Sequence, residues 1–495
     1  MKHTALLLGW MMFTTCSDYL NTEHGGFLLE EQLQQSFKEN QASILDNLMN
    51  GIYTTTFMAG TGGTVRSDDF GQKSIDICLD FMCGDLASTG NVAFFMGVYK
   101  YLYQARTGVN AGIIWRYYYS IINGANKIFD LLGSDTNLPE NPTACVYYAQ
   151  AKVMRAYAYF YLVNLYQHPY SDKKDAPGVP VYRSQVDMKP QRQSTVKEVY
   201  DLLISDLEDA VVALENYDRG KNKTKIDKNV TLGFLAYAYL TRGEAGDYQK
   251  SADAARSVIE SGKFALMTEK EVIESGFSSL NISSWIWGID LTIENTPKDF
   301  SFWGNMDCFT NGWCVKGYQK MIDADLYIEI PATDVRKKQF GSPFTGVIGE
   351  PPLAPINKFY DSERIYGGDK LYTNDLVYMR IEEMYLVLAE ALARLGKSEE
   401  SLLSLKSLMS LRNPSANLTN LSNAELLETI WFNWRAEMWG EGKTYFAMKR
   451  FKKTVRRAAN HSQRAGESFS YNYERMIFEI PEYEWVNNPN LVQQQ

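Results

Sequence analysis

Residues 374–413, NDLVYMRIEEMYLVLAEALARLGKSEESLLSLKSLMSLRN, constrain the fold more than any other stretch. Ile381, Met384, Tyr385, Leu388, Leu392 and Leu395 recur at spacings of three and four, which is one apolar face of a helix. Gly396 stands where a helix end needs a left-handed backbone. Ser398 is placed to N-cap a second helix, and Glu399 and Glu400 suit the positive end of its dipole. Leu402, Leu405, Leu408 and Met409 give that helix its own stripe. Ala389, Ala391 and Ala393 let a neighbour approach closely. Two helices joined by so tight a turn cannot bury these faces alone, so further pairs must stack on them.

The chain supplies them. Residues 30–53 read as a helix, as do residues 115–132. Residues 149–166, AQAKVMRAYAYFYLVNLY, are apolar nearly all round, the mark of a helix buried between neighbours. Ser194 or Thr195 can cap an amphipathic helix whose inner side carries Val199, Leu202, Leu203, Leu207, Val211 and Leu214. Residues 229–243 and 247–266 repeat the helix–turn–helix plan, with Ala238, Gly243, Tyr248, Ala252 and Ala255 in the small-residue pattern of tetratricopeptide (TPR) repeats. About four pairs result, at irregular intervals rather than a strict 34-residue period. The expected fold is mainly α: a TPR-like helix-pair scaffold with a loop-rich subdomain inserted.

That insertion is residues 276–372. It holds six of the 15 prolines and ten of the 35 glycines, which break helices, together with Trp285, Trp287, Trp303 and Trp313. Long loops on a rigid scaffold are where binding residues are commonly placed. An earlier loop, residues 60–72, is also Gly-rich, but it lacks the GK[ST] ending of a phosphate cradle. Its Asp68 and Asp69 suit a cation or a sugar hydroxyl, or else the cap of a helix starting near Gln72.

The N-terminus carries Lys2 and His3, an apolar run from Ala5 to Phe13, then Thr14, Thr15 and Cys16. The run is too short to span a bilayer and fits a signal-peptide core. Two small residues before a cysteine look like a bacterial lipobox with Cys16 as the lipidated residue, although Phe13 stands where Leu is usual. Export would permit disulfides. Cys308 and Cys314 could close a short loop, while Cys78, Cys83 and Cys145 read as buried thiols. Neither the cysteines nor the four histidines have metal-site spacing, so no metal and no cofactor is expected. A net charge of -9 argues against nucleic acid as a partner.

Together these stretches resemble the SusD/RagB family, the surface nutrient-binding lipoproteins of Bacteroidetes. Residues 379–396, MRIEEMYLVLAEALARLG, match its R-x-E-x-Y-L-x-x-A-E-A-x-x-R-x-G pattern. Residues 428–450 resemble its E-R-x-x-E-L-x-x-E-G-x-R-x-F-D-L-x-R segment, departing at Asn433–Arg435, Lys443 and Ala447. The ending IPEYEWVNNPNLVQQ is similar to I-P-x-x-E-x-x-x-N-P-x-L-x-Q-N. The resemblance implies a signal peptide (1–15), a lipidated tether (16–28), a helical scaffold in two parts (29–275 and 373–495) and the ligand subdomain between them (276–372). It implies a surface-exposed protein, lipid-anchored in the outer membrane, that captures oligosaccharide for a SusC-like TonB-dependent transporter. It implies no catalytic residues, and the family's peptide-binding members make a peptide ligand the alternative.

A glycan site needs aromatic faces beside groups that bind hydroxyls. The candidates are Trp303, Trp313, Trp285, Trp287, Phe309 and Tyr318, drawn from the insertion, with Asp68 and Asp69 from the early loop. WIWGID, residues 285–290, alternates like a strand. The basic run Lys449, Arg450, Lys452, Lys453, Arg456 and Arg457 reads as a solvated helix face, or as a contact for lipid headgroups or an anionic glycan. A glycoside hydrolase is the enzymatic alternative, since the 59 acidic residues could include a catalytic pair.

Overall fold

The structure is a computed structural model that describes residues 30–492, apart from 89, 186–188, 311, 344–352, 362–363 and 365–370. Cys16 and the other N-terminal residues assigned to the signal and tether lie outside the described residues.

Among the described residues, eight helices pack in sequence as one continuous stack: Gln41–Thr55, Val109–Leu132, Pro142–Tyr166, Val196–Ala213, Lys228–Arg242, Asp247–Glu260, Ile381–Arg394 and Ser398–Met409. Taken in twos, they are the four helix pairs expected. Asn423–Glu437 then lies across the last pair. The Pro142–Tyr166 helix is buried along most of its length, as its lack of a polar face requires, and starts on an Asn141 cap followed by proline. Thr195 caps the next helix through a reciprocal box with Glu198. No described helix is long and apolar enough to cross a membrane.

Three local readings change. The helix expected over 30–53 is two, Glu30–Glu39 and Gln41–Thr55, separated at Asn40. Gly396 does take the left-handed conformation (φ +75°). Ser398, however, is the first residue of its helix rather than its cap, and its hydroxyl donates to Asn423 instead. All five cysteines among the described residues are free thiols, with Cys145 half-buried and the rest buried.

What joins the last pair to the insertion is a buried set of charges. Strand Leu376–Arg380 pairs antiparallel with Trp285–Ile289, so the insertion's first strand is hydrogen-bonded to the segment that leads into the Ile381–Arg394 helix. Arg380, at the end of that strand, is fully buried. Its guanidinium reaches Glu437 at 2.7 Å, Glu441 at 2.9 Å and Glu382 at 3.2 Å. Arg412 binds Glu382 and Glu437, Arg336 binds Asp334 and Glu437, and Lys358 binds Glu441. One step along the same helix, Glu390 accepts from Arg394, Arg450 and the Trp434 indole. The Glu390–Arg394 pair therefore braces helices, as its i, i+4 spacing suggests.

The basic run near residue 450 is divided: Lys452 and Arg456 stay on the exposed face, whereas Lys449, Arg450 and Arg457 are taken up by the scaffold. Lys449 is buried and donates to the carbonyls of Asn164 and Gln167. Arg457 is buried and donates to those of Tyr99 and Phe81. Arg450, Lys452, Lys453 and Arg456 pair with Glu390, Asp172, Glu428 and Asp325.

Removing one partner of a buried ion network strands the others without solvent. Arg380→Ala should lower the unfolding free energy by about 3–5 kcal/mol, read by urea denaturation; an unchanged midpoint would show that the network is not holding the pair in place. The same network sets an acid limit. Burial works to raise the Glu441 carboxyl, but Arg380 and Lys358 outweigh it and hold it at about 2. Burial likewise opposes Glu437, which Arg412, Arg380 and Arg336 hold well below its ordinary range. The unfolded chain takes up these protons first, so the stabilisation is complete above pH 4.5 and lost as pH falls through about 2. Melting temperature measured between these limits should fall for the wild type and fall less for Glu441→Gln.

Candidate functional site

The early loop is closed by its own aspartates. Asp69 accepts from the backbone N–H groups of Gly62 (2.7 Å) and Thr64 (2.9 Å) and from the Thr64 hydroxyl (2.8 Å). Burial pushes its carboxyl upward. Asp68 is buried, pairs with Arg66 at 2.8 Å and accepts from Asn110. Neither faces solvent for a cation or a sugar, and neither caps the helix Gln72–Met82, which starts after Gly71. Both carboxylates serve instead to shape the loop.

Three of the four insertion tryptophans are core residues. Trp285 and Trp287 are 0% exposed. The alternation of WIWGI predicts a strand, and Trp285–Ile289 is one, but it is buried along its whole length, so both rings turn inward. Trp287 packs edge-on against Tyr157, Phe234 and Tyr378 and donates to the Thr224 carbonyl at 3.2 Å. Trp303, in the short helix Phe302–Met306, is 1% exposed despite its polar, Gly-rich surroundings. Phe309 is also buried, in a small cluster with Cys308, Cys314, Ala354 and Tyr360. These four rings are corrections: they build the support beneath a surface rather than the surface itself.

Trp313 and Tyr318 are only partly buried. Around the Trp313 indole the fold gathers Tyr318 at 5.5 Å, Phe300 at 6.3 Å in a near-parallel arrangement (16°), and Phe94 at 6.4 Å and edge-on. Phe94 and Phe300 are 38% and 41% exposed, unusual for phenylalanine. The rings come from two distant stretches of chain, the early loops and the insertion. Arg66 ties them to the first of these: its guanidinium lies 4.7 Å from the Phe94 ring centre, and it donates to the Phe94 carbonyl at 3.1 Å. Ala93, just before Phe94, sits at φ +50°, a conformation that costs a non-glycine residue about 1–2 kcal/mol and is retained here beside an exposed ring.

Polar groups border this platform. Lys316 stands 6.0 Å from the Trp313 ring and 3.5 Å from Asp299. The Trp313 indole N–H is enclosed yet has no hydrogen-bond acceptor among the described residues. Behind the rings, Lys320 is buried against Phe95, and burial brings its ammonium down to about 8. The arrangement offers flat apolar faces and a charged rim, which suits a ligand with both apolar faces and hydroxyl groups. Sequence reading missed Phe94, Phe300, Lys316 and Arg66. The only signal was the pair Phe94–Phe95, two consecutive rings of which a short helical turn could bury one.

Comparison with known proteins agrees with this architecture. Residues 30–240 match a family model described as SusD-like, starch-binding associating with outer membrane, and residues 351–495 match the SusD family model. A SusD-like protein of Bacteroides ovatus is 26% identical over 168 residues, a stretch that spans 32% of this chain and 29% of that protein. Among solved structures, a SusD-like carbohydrate binding protein from Bacteroides vulgatus superposes with a TM-score of 0.76 at 23% identity, covering 92% of this chain and 98% of the other. A SusD superfamily protein from Bacteroides thetaiotaomicron gives 0.76 at 21% identity over 92% and 99% of the two chains. One from Parabacteroides distasonis gives 0.69 at 20% identity over 92% and 99%. With two matched segments that between them cover most of its length, and the same fold throughout, the chain belongs to the SusD-like family.

Proposed function

We propose that this protein captures oligosaccharides on the platform of Phe94, Phe300, Trp313 and Tyr318, and passes them to a SusC-like TonB-dependent transporter in the outer membrane. The observation that carries the reading is the exposed ring cluster around Trp313, at which two loop regions converge. Rings of this kind bind the apolar faces of pyranoses, and Lys316 and Asp299 at the rim can meet hydroxyl groups. On this reading residues 276–372 supply most of the ligand face, the helical stack is a rigid mount, and Cys16 carries the lipid that holds the protein at the cell surface.

The reading is also non-catalytic. A glycoside hydrolase needs two carboxylates free to act on either side of the scissile bond. The carboxylates beside the platform, Asp68 and Asp299, are ion-paired with Arg66 and Lys316. Family membership supports carbohydrate as the ligand class, and the lipobox-like start supports the anchor.

A glycan and peptide array followed by calorimetry, on protein lacking residues 1–16, tests the ligand. Trp313→Ala and Phe300→Ala should each weaken binding of the best glycan by about tenfold, as expected when a stacked ring is removed. Peptide binding without glycan binding, or a Trp313→Ala protein with unaltered affinity, would overturn the proposal. The anchor has a separate measurement: Cys16→Ala should move the full-length protein from the membrane fraction to the soluble one, and unchanged fractionation refutes the lipid.

A further inference from the structure

Apart from the aromatic platform, the scaffold holds a cavity of about 410 Å³. Its wall is the Val109–Leu132 helix, which presents Trp115, Arg116, Tyr119 and Asn123. The early loop closes one side at Gly60–Gly63, Tyr182 another, and Glu484 of the C-terminal helix Glu482–Asn487 a third. None of the platform rings lines it. We infer that this cavity is a second binding site, for one residue or two of a neutral saccharide. The inference rests on the carbohydrate reading above and extends it.

Three observations carry it. The first is the ring geometry. Tyr119 and Tyr182, both partly buried, meet edge-on at 5.9 Å, and the buried Trp115 backs Tyr119 at 4.7 Å. The Tyr119 hydroxyl is anchored to the Pro180 carbonyl and the Tyr182 amide to the Tyr159 hydroxyl, so the walls are held before any ligand arrives. The second is Glu484. Its carboxylate is half-buried, accepts from the Trp115 indole and is pushed upward by burial. Among the described residues no lysine or arginine forms an ion pair with it, in contrast to the carboxylates of the scaffold network. The third is the balance of charge. Arg116 shares the lining, its guanidinium 5.1 Å from the Tyr483 ring centre and its Nε donating to the Gly62 carbonyl.

One carboxylate, one guanidinium and the Asn123 amide leave the lining without net charge while supplying both donors and acceptors. That combination disfavours a cation, which Arg116 would repel, and an anion, which Glu484 would repel. A ring of hydroxyl groups with apolar C–H faces fits both the rings and the polar groups. The volume lies within the range of small-ligand pockets and exceeds what water alone would need. The Gly60–Gly63 edge continues into Arg66 and Phe94, so the same loop borders both sites. A chain held at two points of one rigid body dissociates more slowly than at either alone.

Full-length protein labelled with 5-fluorotryptophan separates the two sites, because Trp115 reports the cavity and Trp313 the platform. Glucose, galactose, mannose and maltotriose would be titrated to tens of millimolar and followed by fluorine NMR. At least one should shift the Trp115 resonance in the wild type and in Trp313→Ala alike. Glu484→Gln keeps an oxygen for the Trp115 indole and should weaken that response about tenfold, the loss expected for a hydrogen bond to a charged group. Ser120→Phe, at an exposed position on the rim, should abolish it by filling the space. A Trp115 resonance that no sugar moves, or that moves equally in Glu484→Gln and Ser120→Phe, overturns the second site. If Trp313 still responds in that case, the platform reading survives. If Trp115 responds and Trp313 does not, the platform fails and the cavity stands.

Discussion

The architecture depends on Arg380 and the acids around it. A guanidinium and three carboxylates cannot be taken out of water unless each is matched, because the desolvation penalty is several kcal/mol per ion. Here the match is made between elements far apart in sequence: the strand at 376–380, the helix at 423–437, the turn at Glu441 and the 3-10 turn bearing Arg336. Apolar residues could fill the same volume at less cost. What the charges add is direction, since a guanidinium accepts only a few placements of its partners. The junction of scaffold and insertion is therefore specified in orientation as well as in burial.

The same economy explains the rest of the scaffold's polar residues. Arg155 and Lys152, in the helix with no polar face, meet Asp206 of the neighbouring helix, Arg155 at 2.7 Å and Lys152 at 3.1 Å. Lys449 and Arg457 end on backbone carbonyls that no helix or strand uses. Cations that look like a surface patch in the sequence thus serve as internal fasteners. Glu484 differs: its carboxylate meets an indole and a cavity rather than a cation.

Much of the fold was legible in residue order alone. The spacing of Ile381, Met384, Leu388 and Leu392 repeats the helical period, and the turn at Gly396 requires a left-handed residue, so the last pair could be read directly. So could the stacking, because an apolar face with no partner implies one. The candidate site was legible only in outline. Composition located tryptophans in the insertion, yet ring type is silent on direction. Trp303 and Trp313 lie ten positions apart in similar Gly-rich surroundings, and one ended inside while the other stands at the surface. Phe300 carried no pattern and Phe94 only its pairing with Phe95, because a ring left exposed by tertiary contacts has little local signature.

What the sequence determined by itself was the helical array and the family to which it belongs, because period, turn residues and motif order act over a few residues at a time. Tertiary structure decided which charges became internal and which rings reached solvent. Those outcomes depend on partners far away in the chain, 28 positions for Arg66 and Phe94 and 362 for Tyr99 and His461. No local preference encodes such a contact. It is settled by whether the packed core has room for a group and a partner to satisfy it.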